Sequence, residues 1–245
     1  MRVRKPFEVI YENDAVIVVN KAPHIYCIPP RKGADGTSLS ELLTQRYGKL
    51  WTVHRIDRNT TGVVLFARNE EIHRRLSLLF QNRDVKKTYL AISKGAPSEN
   101  HGVIDIPLAI TSKGKVRVDR SGKQAQTDYH VVERFEGYSL ISLKPTTGRQ
   151  HQIRVHLKAI GCPLIVDSLY GDEGPFTISE IKRKKLRGRP ESTGTILERT
   201  PLHAHILELP NGTLDVNTFE AELPKDMRAC LAQLRKWRSI SYLIR

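Results

Sequence analysis

The sequence predicts an α+β fold in which a mixed, largely antiparallel sheet is flanked by a few helices. Short strand-like segments follow one another along the chain and are joined by short turns, which favours antiparallel pairing. The first example is Phe7 to Asn20, where a Glu-Asn-Asp turn separates two such pieces. Further strand patterns lie at 116–118, 127–133 and 138–143, and no fixed-period repeat is present.

The helical segments are few and carry recognisable end signals. Ser38 and Glu41 form a capping-box pattern that opens a helix ending at Gly48. Asn69 is an N-cap residue before a segment with apolar residues at helical spacing. The segment from Pro224 to Trp237 predicts a third, amphipathic helix near the C-terminal end.

Three more elements are expected to complete the sheet. Val63 to Ala67 is a continuous apolar run and predicts a buried strand, and Lys87 to Ser93 predicts another. Asn211-Gly212 is a strong turn signal, so we expect a hairpin joining 203–209 to 213–217.

The composition indicates a polyanionic partner. The 245 residues include 40 Lys and Arg against 26 Asp and Glu, which gives a net charge of +14. Basic proteins bind nucleic acids because neutralising phosphates releases counterions, although charge alone is also compatible with an ordinary soluble basic protein. Aromatic residues are only 7% of the chain, which disfavours a broad base-stacking platform.

Cysteine and histidine usage argues against a metal or disulfide framework. There are three cysteines, Cys27, Cys162 and Cys230, without the CxxC spacing of structural zinc sites. His151 and His156 lack the four-residue helical spacing of a metal pair. The sequence has no apolar run of the roughly 20 residues that a membrane span needs, nor a signal peptide, so we expect a cytoplasmic protein. We also expect a monomer.

One carboxylate lies between two basic residues in the segment VHRIDRNTTG. Asp57 lies between Arg55 and Arg58, and a Thr-Thr-Gly turn follows it before the predicted buried strand. Such a loop suits a site that holds a polyanion and acts on it chemically. Taken alone, Asp57 is more typical of a turn aspartate beside surface arginines, because Asp favours turns through local hydrogen bonds.

A second segment, KPTTGRQHQIRVHLKAIG, repeats the Thr-Thr-Gly turn and continues as a short helix. Ile153, Leu157 and Ile160 form one apolar face of that helix, and Gly161 ends it. Arg154 would then project from an anchored helix. Since a guanidinium pairs with a carboxylate in two-pronged geometry, we expect Arg154 to be the ion-pair partner of Asp57.

These segments together resemble the RluA-type family of RNA pseudouridine synthases. HRIDRNTTG resembles the family's HRLDxxTSG box, and TGRQHQIRVHLKAIGCPLIVDSLYG resembles its TGRTHQIRVHLxxxGxPxxGDxxYG box. Lys87 and Tyr89 occupy the two fixed positions of its Lys-x-Tyr box. Asn20-Lys21-Ala22-Pro23 is similar to the opening box, and Leu202-His203-Ala204-His205 to a late one. The matches follow the family's order from about residue 14 to 225.

The resemblance implies the pseudouridine synthase fold, with a central catalytic cleft in the sheet. We expect a single catalytic domain over residues 1–245, with a basic insert loop at about 171–201 and no separate N-terminal RNA-binding module. The chain departs from the family pattern at Ala22-Pro23-His24, Gln150 and Val166, none of which is expected to do chemistry.

The resemblance also implies the site residues and the reaction. Asp57, Tyr89 and Arg154 would be catalytic: Asp57 reacts, Arg154 keeps it ionised, and Tyr89 lies against a flipped uracil and moves a proton. Arg55 would fill the gap that the flipped base leaves, and His54 would chiefly anchor the loop. The expected RNA contacts are His54, Arg55, Arg58, Lys87, Arg149, His151, Lys182, Arg183, Lys184, Lys185, Arg187 and Arg189. The isomerisation requires neither a cofactor nor a metal.

The run Lys182–Arg189 has six basic residues in eight and no apolar period. It predicts either a solvated loop or a flexible arm that grips RNA phosphates. The sequence does not identify the RNA, since relatives in this family act on ribosomal or transfer RNA.

Two other functions compete with the synthase. A non-catalytic RNA-binding or ribosome-assembly factor would use the same basic surface without needing Asp57. A phosphotransferase or phosphatase with an aspartate nucleophile is suggested only by Asp35-Gly36-Thr37, which lacks the Asp-x-Asp geometry of such sites.

Overall fold

The chain forms fourteen strands and five helices within residues 5–30, 36–182 and 194–240, which are the residues that a computed structural model describes. The strands are β1 (Phe7–Glu12), β2 (Val16–Lys21), β3 (Trp51–Thr52), β4 (Thr61–Ala67), β5 (Lys86–Lys94), β6 (His101–Asp105), β7 (Leu108–Ile110), β8 (Val116–Val118), β9 (Gln126–Phe135), β10 (Tyr138–Pro145), β11 (Phe176–Thr177), β12 (Thr195–Leu197), β13 (Leu202–Glu208) and β14 (Thr218–Glu220). The helices are α1 (Leu39–Tyr47), α2 (Glu70–Asn82), α3 (Gln152–Ala159), α4 (Ile178–Lys182) and α5 (Lys225–Arg238).

These elements form two compact units, each built from two stretches of chain. The first unit comprises Met1–Tyr89 and His203–Glu222, and the second comprises Leu90–Leu202 and Leu223–Arg245. The boundary after Tyr89 therefore falls inside β5. Each unit has a hydrophobic core of its own, and the expectation of a single domain stays a prediction.

The first unit is a mixed sheet with helices α1 and α2. β2 pairs antiparallel with β1 and with β4, and β3 also runs antiparallel to β4. β13 lies parallel to β4 through the pairs His203↔Thr61 and Ala204↔Gly62. A Cβ on Gly62 would come within 2.1 Å of the carbonyl oxygen of Ala204, so only glycine permits this close approach.

The helix ends and the central strand of this unit confirm the sequence predictions. The Ser38–Glu41 capping box is formed in full at α1, and the Asn69 side chain accepts from the backbone of Ile72 at α2. Every residue of β4 is buried. These features are predictable because they depend on neighbours within four residues or on a continuous apolar run.

The second unit is antiparallel in the strand pairs that its described residues show. β9 pairs with β10 and with β6, while β7 pairs with β8 and β11 pairs with β12. Helix α5 buries Met227, Leu231 and Leu234 in a core that it shares with Phe176 and Leu197. The predicted α+β class, with a largely antiparallel sheet and few helices, is confirmed.

The predicted hairpin at Asn211-Gly212 is wrong in its second strand. Residues 213–217 form bends and irregular backbone, and the strand that pairs with β13 is β14, beginning at Thr218. The cause lies in side-chain hydrogen bonds: Asn217 accepts from the backbone N–H of Leu214 and donates to its carbonyl. Those bonds close a longer loop, so a tight two-residue turn is not needed.

The expected insert at about 171–201 is not wholly a loop. Its described ends form β11 and α4 on one side and β12 on the other, and Phe176, Ile181 and Leu197 are buried against α5. The expectation of a loop across this insert is therefore wrong at both ends. These residues are buried against α5, a helix that is distant in the sequence. Local periodicity does not reveal such a contact.

Candidate active site

The loop that carries Asp57 joins β3 to β4 in the first unit and is anchored at alternate residues. His54 Nε2 accepts from the backbone N–H of Leu65 at 3.1 Å. The backbone N–H of Ile56 donates to the Cys27 sulfur at 3.4 Å, and the backbone N–H of Thr60 donates to the Asp57 carbonyl at 3.1 Å. Asp57 itself is half-buried. A loop held at several points keeps its carboxylate in one place, which chemistry on a positioned substrate requires.

A buried lysine holds the next turn of the same loop. Lys21 is completely buried at the end of β2, and its ammonium donates to the carbonyls of Ala22, Ile25 and Arg58 at 2.9 to 3.0 Å. A buried ammonium is tolerated only when its protons are satisfied, so these bonds fix Arg58 relative to β2. Lys21 stands in the opening family box quoted above, but no local pattern in the sequence signals this role.

The two arginines that frame Asp57 are exposed. Arg58 Nε donates to the His24 carbonyl at 3.3 Å, and the Arg58 guanidinium lies 5.0 Å from the centroid of the Tyr26 ring. Arg58 is thus oriented before any ligand binds, while Arg55 precedes Asp57 by two residues. Their contact with RNA stays a prediction.

Tyr89 lies in β5, half-buried, in the electrostatic field of Asp57. Burial raises the pKa of the Tyr89 hydroxyl far above its ordinary value, and the negative charge of Asp57 raises it further. Tyr89 therefore keeps its proton at neutral pH. It can donate a hydrogen bond and present an aromatic ring, but the free protein does not hold it as a phenolate base.

His54 and Lys87 are two polar residues of the same unit that interact electrostatically with each other. Burial, assisted by the charge of Lys87, lowers the pKa of His54 to about 3. The His54 ring stacks on Phe80 with centroids 4.7 Å apart. Because His54 is neutral and its Nε2 accepts from Leu65, it anchors the loop and adds no positive charge for RNA. Burial also lowers the pKa of Lys87, whose predicted RNA contact is untested.

Arg154 lies on α3 in the second unit and forms a two-pronged ion pair with Asp167. Its Nε and Nη2 each donate to a different Asp167 oxygen at 2.7 Å, and both side chains are buried. The Asp167 carboxylate also accepts from the backbone N–H groups of Leu169 and Tyr170. Asp167 was missed as this partner, although it belongs to the quoted family box. The expected pairing of Arg154 with Asp57 stays a prediction.

The turn before α3 is organised by a buried glutamine. Gln152 Oε1 accepts from the Thr147 hydroxyl at 2.7 Å and from the Arg149 backbone N–H at 3.0 Å. The Arg149 Nε donates to the Gln124 carbonyl, and His151 Nδ1 lies 2.9 Å from the Tyr170 hydroxyl. These contacts place Arg149 and His151 at the start of α3, where we expected RNA contacts, and they add Gln152 as a residue that sequence reasoning overlooked.

The basic run predicted to grip RNA falls almost entirely outside the described residues. Arg183, Lys184, Lys185, Arg187 and Arg189 lie between the described positions 182 and 194, so only Lys182 is placed. Lys182 ends α4.

The described residues offer neither a metal cluster nor a membrane-spanning helix. Residues 5–30, 36–182 and 194–240 contain no group of three or more His, Cys, Asp and Glu side chains arranged to hold a metal ion. None of the helices in that part of the chain has the length and apolar character needed to cross a membrane.

Comparison with known proteins identifies the family. The family model described as RNA pseudouridylate synthase matches residues 15–159, which include the Asp57 loop, Tyr89 and Arg154. The dual-specificity RNA pseudouridine synthase RluA of Salmonella typhi is 36% identical over 70% of this chain and 80% of its own. The chain belongs to the RluA-type family of RNA pseudouridine synthases.

Other relatives match a larger share of this chain. The ribosomal large subunit pseudouridine synthase D of Pseudomonas aeruginosa is 34% identical over 94% of this chain and 72% of its own. The solved structure of human RNA pseudouridylate synthase domain containing 4 covers 93% of this chain and 92% of its own, with 26% identity and a TM-score of 0.73. The synthase is therefore an isomerase, and its fold is that of solved pseudouridylate synthases.

Proposed function

We propose that this synthase converts one specific uridine in ribosomal or transfer RNA to pseudouridine, with Asp57 as the reacting carboxylate. The observation that carries the proposal is the β3–β4 loop, in which hydrogen bonds at alternate residues hold a single carboxylate between two exposed arginines. We also propose that the enzyme works as a monomer in the cytoplasm.

The reaction needs few chemical groups, and this chain supplies them. The glycosidic bond must break, the uracil must rotate, and a carbon of the ring must bond to the ribose and lose its proton, while the released ring nitrogen gains a proton. A uridine within folded RNA must first leave its stack. The carboxylate of Asp57 would attack the anomeric carbon or the ring, or assist proton removal from the ribose. All three routes use the negative charge of this carboxylate, while the exposed guanidinium groups of Arg55 and Arg58 supply positive charge for the RNA phosphates.

The roles of the remaining groups follow from their chemistry. Tyr89, protonated and half-buried, would lie against the flipped uracil and donate a hydrogen bond. Arg154 would act from α3, where Asp167 fixes its guanidinium plane. Arg55 would occupy the gap that the flipped base leaves in the RNA.

Ribosomal RNA is the first substrate to test. The net charge of +14 supports a polyanionic partner. Relatives named ribosomal large subunit pseudouridine synthase D, from Pseudomonas aeruginosa and Nitrosomonas europaea, match 94% of this chain at 34% and 33% identity. A pseudouridine map of total RNA from cells with and without the gene would identify the RNA and the position, because one modified site should disappear.

The test of the mechanism is the Asp57→Asn variant, assayed by tritium release from uracil-labelled RNA. The amide keeps the shape of the side chain but loses its charge and nucleophilicity, so turnover should vanish while RNA affinity stays nearly unchanged. Asp84→Asn, at an exposed position of the same unit, is the matched control and should release tritium at the normal rate. Normal release from Asp57→Asn would favour the non-catalytic RNA-binding factor instead.

A further inference from the structure

An exposed tryptophan lies at the C-terminal end of α5, between two lysines. Trp237 is 45% exposed, which is high for so large an apolar ring. The ammonium of Lys182 lies 4.9 Å from its ring centroid, and that of Lys236 lies 5.3 Å away. We call these three residues the Trp237 cluster. All three belong to the second unit.

The cluster is held together by a buried arginine. Arg238 is 5% exposed, and its guanidinium donates to the backbone carbonyls of Ile181 and Glu180 at 2.6 and 2.7 Å. Ile181 is itself buried in the core beside α5. These contacts fix the end of α4 against the end of α5, and they therefore fix Lys182 beside Trp237.

In the described part of the chain, two carboxylates close to Lys182 and Arg238 are already engaged. Glu180 accepts from the backbone N–H and the hydroxyl of Thr177, and Glu136 lies 3.5 Å from the Arg238 guanidinium. The cluster thus presents an aromatic face and two ammonium groups. Cation–π contacts at an exposed site are weak, so an incoming phosphate can take over either ammonium and leave the ring face open.

We propose that the Trp237 cluster is an accessory RNA-binding site, where an unpaired base stacks on the indole and its phosphates contact Lys182 and Lys236. Every base has a flat face, so such a site binds single strands with little sequence preference. A base inside a duplex cannot present its face, which makes single-stranded RNA the ligand. The proposal rests on the proposed function only in taking RNA as the substrate.

Tryptophan fluorescence offers a direct test, because the chain has two tryptophans. In a Trp51→Phe background, Trp237 is the sole reporter. Unpaired oligoadenylate should quench its emission, whereas an RNA duplex of equal length at equal phosphate concentration should quench it much less. Equal quenching by both would overturn the stacking site and indicate phosphate contact alone.

Variants can distinguish the contribution of the Trp237 ring to RNA binding from that of the lysine charges. Trp237→Ala should weaken oligoadenylate binding at least fivefold, since stacking on an aromatic side chain contributes about 1–3 kcal/mol per base. Trp237→Phe should restore most of the affinity, and Lys182→Gln should flatten the salt dependence. Lys225→Gln, exposed on the same helix, is the matched control. Unchanged binding by Trp237→Ala would overturn the proposal and leave the cluster as a candidate protein contact.

The test of the Trp237 cluster can be distinguished from the test of catalysis. Trp237→Ala should keep the single-turnover rate at saturating enzyme, because the cluster contains none of the catalytic residues. If wild-type protein forms no pseudouridine but oligoadenylate still quenches Trp237, the proposed function fails and this site stands. If wild-type protein is active but Trp237→Ala binds normally, only the accessory site fails.

Discussion

Protonation of His54 should destabilise the first unit in mild acid. His54 Nε2 accepts from the backbone of Leu65, and the ring stacks on Phe80, so the folded state favours the neutral imidazole. The pKa is about 3 in the folded protein against 6.5 for an ordinary histidine. Because the folded pKa is lowered, the unfolded chain binds more protons below pH 6.5, and stability falls as the pH falls.

The expected size follows from the gap between the two pKa values. At pH 5 the solution is 1.5 units below the unfolded pKa and still above the folded one, and each unit corresponds to about 1.36 kcal/mol. His54 should therefore reduce the free energy of unfolding by about 2 kcal/mol between roughly pH 7.5 and 5. The decline should continue until the pH reaches about 3.

The assay is urea unfolding from about pH 7.5 to 5 for wild type and His54→Gln. Gln keeps an acceptor but does not titrate, so its stability should fall by about 2 kcal/mol less than that of wild type across this range. The other histidines, including the buried His156, are common to both proteins and cancel in the difference. His101→Gln, at an exposed position of β6, is the matched control. A difference in stability between wild type and His54→Gln that does not change with pH would show that burial does not lower the pKa of His54.

Three other predictions concern the remaining groups. Tyr89→Phe keeps the ring but removes the hydroxyl, so product formation should stop while RNA binding persists in a filter-binding assay. Full activity of this variant would show that only the aromatic ring of Tyr89 is needed. Arg154→Met should destabilise the protein by about 3–5 kcal/mol in urea unfolding because it leaves the buried Asp167 without its ion-pair partner, and adding Asp167→Asn should recover stability but not activity. Replacing the six basic residues of Lys182–Arg189 by Ser should weaken RNA binding and reduce its salt slope by about 0.7–0.9 for each phosphate that the run neutralises, and an unchanged slope would mean that the run contacts no phosphate.

Features that depend on near neighbours could be predicted from the amino-acid sequence. The capping box at Ser38, the Asn69 cap and the buried strand predicted over Val63–Ala67 follow from residues a few positions apart, and the structure confirms each. The Asp57 segment and the other family boxes were sufficient to predict the family, since ordered motifs along one chain seldom arise by chance.

Contacts between residues far apart in the sequence depend on the packed fold and could not be predicted. The Lys21 ammonium binds the carbonyl of Arg58 across 37 positions, and Arg154 binds Asp167 across 13. Helix α5 fixes the short helix α4 through Arg238, 57 positions beyond Ile181. Such pairs depend on how strands and helices pack, because a buried charge takes whichever partner the fold brings within hydrogen-bonding distance, and local pattern does not encode that choice.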